Sequence, residues 1–361
     1  MMIETFEDFI IYAREQGATD IYLTVESPTV FRINGEMVKY TTVSGGEDFS
    51  PVVVNRLIRD LLNADKEELV NEGRDVDFSF ELSNGERQRV NVFHQCGKLA
   101  CVIKLLNTVI PSAEELGLSK VITDLANKKS GLILITGPSV SGKNRTMAAL
   151  INQIAMTRAC HIITVEDPVE YKYKDVKATV HQREIGLDVS DYETALASAL
   201  REDPDVIVLD EMRDYRTISL ALTAAETGHL VIGSLHSAGA SEAIDRIINV
   251  FPPHAQTLTR TQISGVIEGI IWQTLIPTVD KKDHVFAFEI LLGTDAIRNL
   301  IRTDKTFQID TYIQQNHKQG MCTINESLTR LYRRDLISYE EAMLNSNNRE
   351  ELEKSLKSVS F

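Results

Sequence analysis

A chain of 361 residues has room for two or three domains, each with a sizeable core. Its 43% hydrophobic and 25% charged residues are ordinary for a globular protein. A formal net charge of −14 excludes the broad basic surface of a general nucleic-acid binder, so no nucleic-acid partner is expected. Apolar runs such as 132–135 and 206–209 are far too short to span a bilayer, and the opening MMIETFEDFI lacks the order of a signal peptide. Cys96, Cys101, Cys160 and Cys322 are scattered without a C-x2-C pair, which fits neither a zinc site nor a disulfide framework. A reducing cytoplasm is the expected compartment.

Residues 1–106 read as a separate α+β module. Apolar positions at helical spacing predict a helix over 6–16, broken at 17–20. Strands are predicted at 21–25, 28–33 and 37–41, with Asn34-Gly35 as the hairpin turn between the last two. A helix over 52–63 follows, then strands at 76–82, 88–93 and 99–105. The alternation of apolar and polar residues in these strands points to a half-exposed sheet. The polar stretch 107–116 reads as a linker.

From 117 onward strands and helices alternate, the mark of an α/β parallel sheet. Strands are predicted at 132–136, 161–165, 206–209 and 230–235, and helices at 147–154, 191–201 and 218–227. Ser190 and Glu193 have capping-box spacing. Gly228 stands at a C-cap position. Past Pro252 the chain reads as mainly helical, with helices at 255–275, 296–303, 324–333 and 340–345. Thr323/Glu326 and Ser338/Glu341 repeat the capping-box spacing.

Residues 131–145, GLILITGPSVSGKNR, carry the chemistry. A strand, a loop bounded by Gly137 and Gly142, then Lys143 opening a helix is the context of a phosphate loop. Its backbone N–H groups would face a polyphosphate, and Lys143 would add charge at the outer phosphates. Gly137, Pro138, Ser139, Val140, Ser141, Gly142, Lys143, Asn144 and Arg145 are the candidate ATP-binding residues. The motif wants Ser or Thr after the lysine, to place a hydroxyl on Mg²⁺, and Asn144 stands there instead.

The run 206–209 followed by Asp210-Glu211 is a Walker B pattern, delivering carboxylates to the metal and the attacking water. The cluster Glu166, Asp167 and Glu170 reads equally well as a solvated Asp-Pro turn and as a carboxylate that positions metal or water. His229 and His236 flank the strand 230–235. Seven extended residues separate them by roughly 23–25 Å, so both cannot touch one phosphate. His236, at the carboxyl end, is the candidate γ-phosphate sensor, while His229 bridges to a neighbouring subunit or satisfies a turn.

These residues, with ATDIYL (18–23), RVNVF (89–93), EELG (114–117), VEDPVEY (165–171), QREIG (182–186), ALREDPDVIVLDEMRD (199–214), LALTAAETGHLVIGSLH (220–236) and AIRNLIR (296–302), resemble the type IV pilus retraction ATPases, the PilT family of the secretion-ATPase superfamily. The resemblance implies a PAS-like N-terminal domain at 1–106, a linker at 107–116, a RecA-like P-loop ATPase core at 117–292 and a helical C-terminal region at 293–361. It implies a cytoplasmic homohexamer, associated peripherally with the inner membrane, that uses ATP and Mg²⁺ and acts on a PilC-like platform protein. A paralogous pilus ATPase is a further partner. Glu211 corresponds to the catalytic glutamate, Glu170 to the glutamate of the Asp box, and His229 and His236 to the His box. Arg87 and Arg89 fall where the family places arginines that reach the phosphates of a neighbour.

Departures from the family pattern qualify this. Val140 replaces a glycine, and a β-branched residue is strained wherever φ must be positive. Asn144 replaces the hydroxyl residue, and Asp210 replaces a glycine. Asn144 and Asp210 are therefore the candidate Mg²⁺-side residues. Tyr22 and Lys104 replace a histidine and an arginine. The expected function is a hexameric, ATP-hydrolysing motor for pilus retraction and twitching motility. The alternatives are a weakly hydrolysing accessory paralogue and, further off, an assembly or type II secretion ATPase. The AIRNLIR motif and the missing tetracysteine site weigh against the last.

Overall fold

The computed structural model describes residues 5–106 and 108–357. The first four residues of the expected N-terminal domain, Asn107 of the expected linker, and 358–361 lie outside these. The chain divides into two compact units: Met1–Val109 with Pro168–Tyr171, and Ile110–Asp167 with Lys172–Phe361.

In the first unit, strands β1 (Ala18–Thr24), β2 (Val30–Ile33), β3 (Glu36–Lys39), β4 (Val76–Glu81), β5 (Arg87–Gln95) and β6 (Lys98–Leu105) form one antiparallel sheet. Their order is β3-β2-β1-β6-β5-β4. Asn34 and Gly35 both take positive φ, as the two-residue hairpin requires. The helices Phe6–Glu15 and Pro51–Arg59 contribute Phe9, Ile10, Val54, Leu57 and Ile58 to a core with Ile21, Leu23 and Ile103. Strand β1 begins at Ala18, so the expected break at 17–20 shrinks to the positive-φ Gly17. The helix Ala64–Asn71 has no counterpart in the sequence reading, because Val70 alone of its residues is buried and no apolar stripe announces it.

In the second unit, β7 (Gly131–Thr136), β8 (His161–Glu166), β9 (Thr179–Glu184), β10 (Val206–Leu209), β11 (Leu230–Leu235), β12 (Ile267–Pro277) and β13 (His284–Leu292) form a sheet ordered β13-β12-β7-β11-β10-β8-β9. All neighbours are parallel except β12 and β13. Period-two alternation sorts its side chains into two apolar layers. Leu132, Leu134, Ile207, Leu209 and Val231 join Leu222, Ile244 and Ile247 on one side. Ile133, Ile135, Val206, Val208 and Ile232 join Leu150, Ile151 and Ile154 of the helix Lys143–Thr157 on the other.

Three expectations are corrected here. The predicted helix over 255–275 ends at Val266, and the following residues form β12, which pairs with β7 and with β13. The β-branched Ile267, Ile270 and Ile271 are buried in that sheet, so pairing rather than helical periodicity decides their state. The cap of the helix Tyr192–Ala199 is Asp191, whose carboxylate accepts the Thr194 N–H, while Ser190 Oγ donates to Asp191; the Ser190/Glu193 box does not form. Ser338 caps its helix through the Glu341 N–H, and the full reciprocal box forms only at Thr323/Glu326 of these three. Among the described residues no helix is long and apolar enough to cross a membrane.

Candidate nucleotide site

The carboxyl ends of four adjacent parallel strands meet at one edge of the second sheet. Register pairs Thr136 of β7 with Leu235 of β11, and Leu209 of β10 with both Gly233 and Val165. The residues that follow these strands, Gly137–Gly142, Glu166, Asp210-Glu211 and His236, are thus delivered together. Open α/β sheets build their sites at this edge.

Glycine is required at both ends of the loop. Gly137 has φ 148°, and a Cβ there would lie 2.2 Å from the Gln273 carbonyl oxygen. Gly142 has φ 76°, and its Cβ would strike the Phe286 ring at 2.7 Å. Between them Val140 sits at φ 63° and is 87% exposed, so the strain expected of a β-branched residue there is present. Gln273 Nε2 donates to the Ser141 carbonyl at 2.8 Å and pins the loop from below.

Lys143 is buried at the start of its helix. Its ammonium donates to the Pro138 carbonyl at 2.9 Å and the Gly137 carbonyl at 3.3 Å, and lies 3.3 Å from His236 Nδ1. The same Nδ1 lies 3.3 Å from the Gly137 carbonyl, and the other ring nitrogen, Nε2, faces Glu211 Oε1 at 3.6 Å. Burial lowers the lysine pKa, against the opposing pull of Glu211 and Asp210. For Glu211 the signs reverse. Burial raises its pKa, but the Arg213 hydrogen bond at 2.5 Å and the charges of Arg213, His236 and Lys143 outweigh it, leaving the carboxyl below its usual value. Glu211 is therefore ionised at neutral pH.

The loop fits a phosphate chain on its own evidence. Ser141 Oγ is buried in it without a hydrogen-bond partner, as are Thr136 Oγ1 just before it and Thr146 Oγ1 just after. An open cleft of about 850 Å³ adjoins Pro138, Ser139 and His236 and runs to Asp245 and Trp272, large enough for a nucleotide. Among the described residues no group of three or more His, Cys, Asp or Glu is arranged to hold a metal. Asn144 is half-buried in the first turn of the helix, and Ser234 Oγ donates to the backbone carbonyl of Asp210.

Other expected site residues lie elsewhere. His229 is at the amino end of β11, with Nδ1 2.9 Å from the Ala224 carbonyl and 3.2 Å from Thr227 Oγ1, closing the helix Tyr215–Glu226. Glu170 lies on the segment Pro168–Tyr171, which groups with the first unit. Glu166 ends β8 and accepts from Thr164 Oγ1 at 2.5 Å and Gln182 Nε2 at 3.0 Å. Arg87 is buried, donating to Ser79 Oγ, Glu81 and the Val169 carbonyl. Arg89 pairs with Asp77 across β4 and β5 at 2.7 Å. Sequence reasoning missed Arg213, Gln273 and Phe286, whose ring also lies 5.5 Å from the Arg145 guanidinium. The signal for Gln273 was an amide inside the apolar run 266–276, which the helical reading obscured.

A glycine-bounded loop between a buried strand and a helix, with Lys143, His236 and the carboxylate Glu211 at the same sheet edge, has the arrangement of a P-loop ATPase of the α/β class. The model of the type II/IV secretion system protein family matches residues 3–359, and the chain belongs to that family. It is 39% identical over 335 residues to the type IV pilus retraction ATPase PilT of Pseudomonas aeruginosa, covering 93% of this chain and 96% of that one. It is 31% identical over 347 residues to the pilus ATPase PilU of the same organism, covering 96% and 90%. A crystal structure of the pilus retraction motor PilT with bound ADP superimposes with a TM-score of 0.89 at 40% identity, over 97% of this chain and 99% of that one.

Proposed function

We propose that this chain is the subunit of a homohexameric ATP-driven motor that retracts type IV pili. The observation that carries the reading is the contact of Lys143 and Glu211 through His236, set at the loop 137–142 of a chain that matches PilT over 93% of its length. In this reading the loop amides and Lys143 hold the outer phosphates of ATP, and the ionised Glu211 accepts the proton of the attacking water. His236 links the two, so that a change in Lys143's partners is felt at the base. Mg²⁺, when bound, neutralises phosphate charge, with Asp210 and Asn144 on its side of the site. Arg87 and Arg89 act as trans arginines once freed from their present partners, and Glu170 and His229 serve the junction between subunits. The motor works in the cytoplasm against a PilC-like platform protein of the inner membrane, with a paralogous pilus ATPase as a further partner.

A second reading has its own observation. Val140 in the left-handed region and Asn144 in place of a hydroxyl residue both depart at the phosphate loop, which favours a nucleotide-binding accessory subunit with feeble hydrolysis. Mg²⁺-dependent ATP turnover of the purified protein, with Glu211→Gln as its blank, separates the two. The motor reading expects wild-type turnover at least about a hundredfold above the blank, the scale of general base catalysis. Turnover equal to the blank with ATP still bound sinks it in favour of the accessory subunit.

A further inference from the structure

A second concave site lies in the same unit and shares no lining residue with the cleft at the phosphate loop. It is a pocket of about 560 Å³ between the helix Ile324–Arg333, the start of the helix Lys120–Leu125 and β13. In a chain of net charge −14, its wall presents Arg330, Arg333 and His317 against one carboxylate, Glu326. Glu326 is already engaged, since its Oε2 accepts the Thr323 N–H in the capping box.

Arg330 Nη2 donates to the thiol sulfur of Cys322 at 2.6 Å, and Arg333 Nη2 to the Ser355 carbonyl at 3.1 Å. Among the described residues no carboxylate lies within ion-pair distance of either guanidinium. Sulfur is a weak, neutral acceptor, so a charged fork facing a cavity keeps most of its capacity for an anion. A separate observation points to a ligand. Ser119, half-buried, lines the pocket; its Oγ atom is buried without a hydrogen-bond partner and does not cap the helix it precedes. An orphaned hydroxyl in one pocket with two guanidiniums that no described carboxylate pairs matches the donor set that recognises phosphate oxygens.

We propose that this pocket binds a small phosphate-bearing anion of the pyrophosphate or nucleoside diphosphate class, apart from the phosphate loop. The test titrates inorganic pyrophosphate by calorimetry into the full-length protein saturated with Mg·ADP, and ADP beyond that saturation in a parallel arm. One additional site per chain is expected, weakened at least tenfold by Arg330→Gln and by Arg333→Gln and several-fold by Ser119→Ala. ATP turnover and the unfolding midpoint should stay unchanged in these variants. Additional binding by pyrophosphate alone makes the ligand a free phosphate group, and binding by both makes it a nucleotide. No additional site at millimolar ligand, or one indifferent to all three substitutions, overturns the proposal.

Discussion

Val140 holds a backbone conformation that L-residues with a branched Cβ reach only at a cost of about 1–2 kcal/mol. Its side chain is exposed and packs on little, so Val140→Gly removes strain without opening a cavity. The opposing term is the extra chain entropy of glycine, about 0.5–1 kcal/mol. Val140→Gly is thus expected to raise stability by up to about 1 kcal/mol. A urea midpoint lower in the variant would show that this conformation is not strained. At the same scale, the replacement of the loop's hydroxyl residue by Asn144 was plain in the chain, as was the acidic pair Asp210-Glu211. Arg213's grip on Glu211 was not, because the spacing of two residues does not say whether a turn folds one side chain back on the other.

Among the elements, β13 carries a buried carboxyl with an unusual job. Glu289 accepts the Ala240 N–H at 2.8 Å and an N–H from Ile324, and so joins the starts of two helices. Burial raises its pKa to about 7 despite those donors. Between the ordinary carboxylate value and about 7 the folded protein holds a proton that the unfolded chain has released. This contribution to stability is therefore full at low pH, falls as pH rises through that window, and is constant above it. The total is about 3 kcal/mol at 1.36 kcal/mol per unit. Glu289→Gln keeps an amide oxygen for the donors and carries no charge. It is expected to match the wild type near pH 5 and to exceed it by roughly 1–3 kcal/mol at pH 8. Urea titrations at the two values decide, and a wild type that gains on the variant toward pH 8 refutes the argument.

For the whole second unit, the C-terminal helices and the central sheet share one apolar core. Ile297 and Ile301 of the helix Asp295–Arg302, with Leu328 and Leu352, belong to the same buried cluster as Leu132 and Leu134 of β7. Thr306 Oγ1 also donates to Asp245, which lines the cleft beside His236, at 2.9 Å. The AIRNLIR helix is thereby fixed to the body that carries the phosphate loop. Ile301→Ala should destabilise that body by about 2–5 kcal/mol. Native-state hydrogen exchange should show β7 and the helix Asp295–Arg302 losing protection together. Loss confined to the helix would mean that it opens as a separate unit.

Read alone, the chain determined the strands that end at Gly137, at Asp210-Glu211 and at His236, and the two kinds of sheet. Each depends on a short run whose local periodicity and turn chemistry agree with its final surroundings, as at Asn34-Gly35, 206–209 and 230–235. Only the tertiary structure decided that 267–277 is a strand, and that Gln273 on it and Phe286 on β13 brace the loop. Those outcomes depend on pairing with β7 and β13, contacts between residues more than a hundred positions apart or across a hairpin. An isoleucine-rich run satisfies a helix and a buried strand equally well until such a partner is in place.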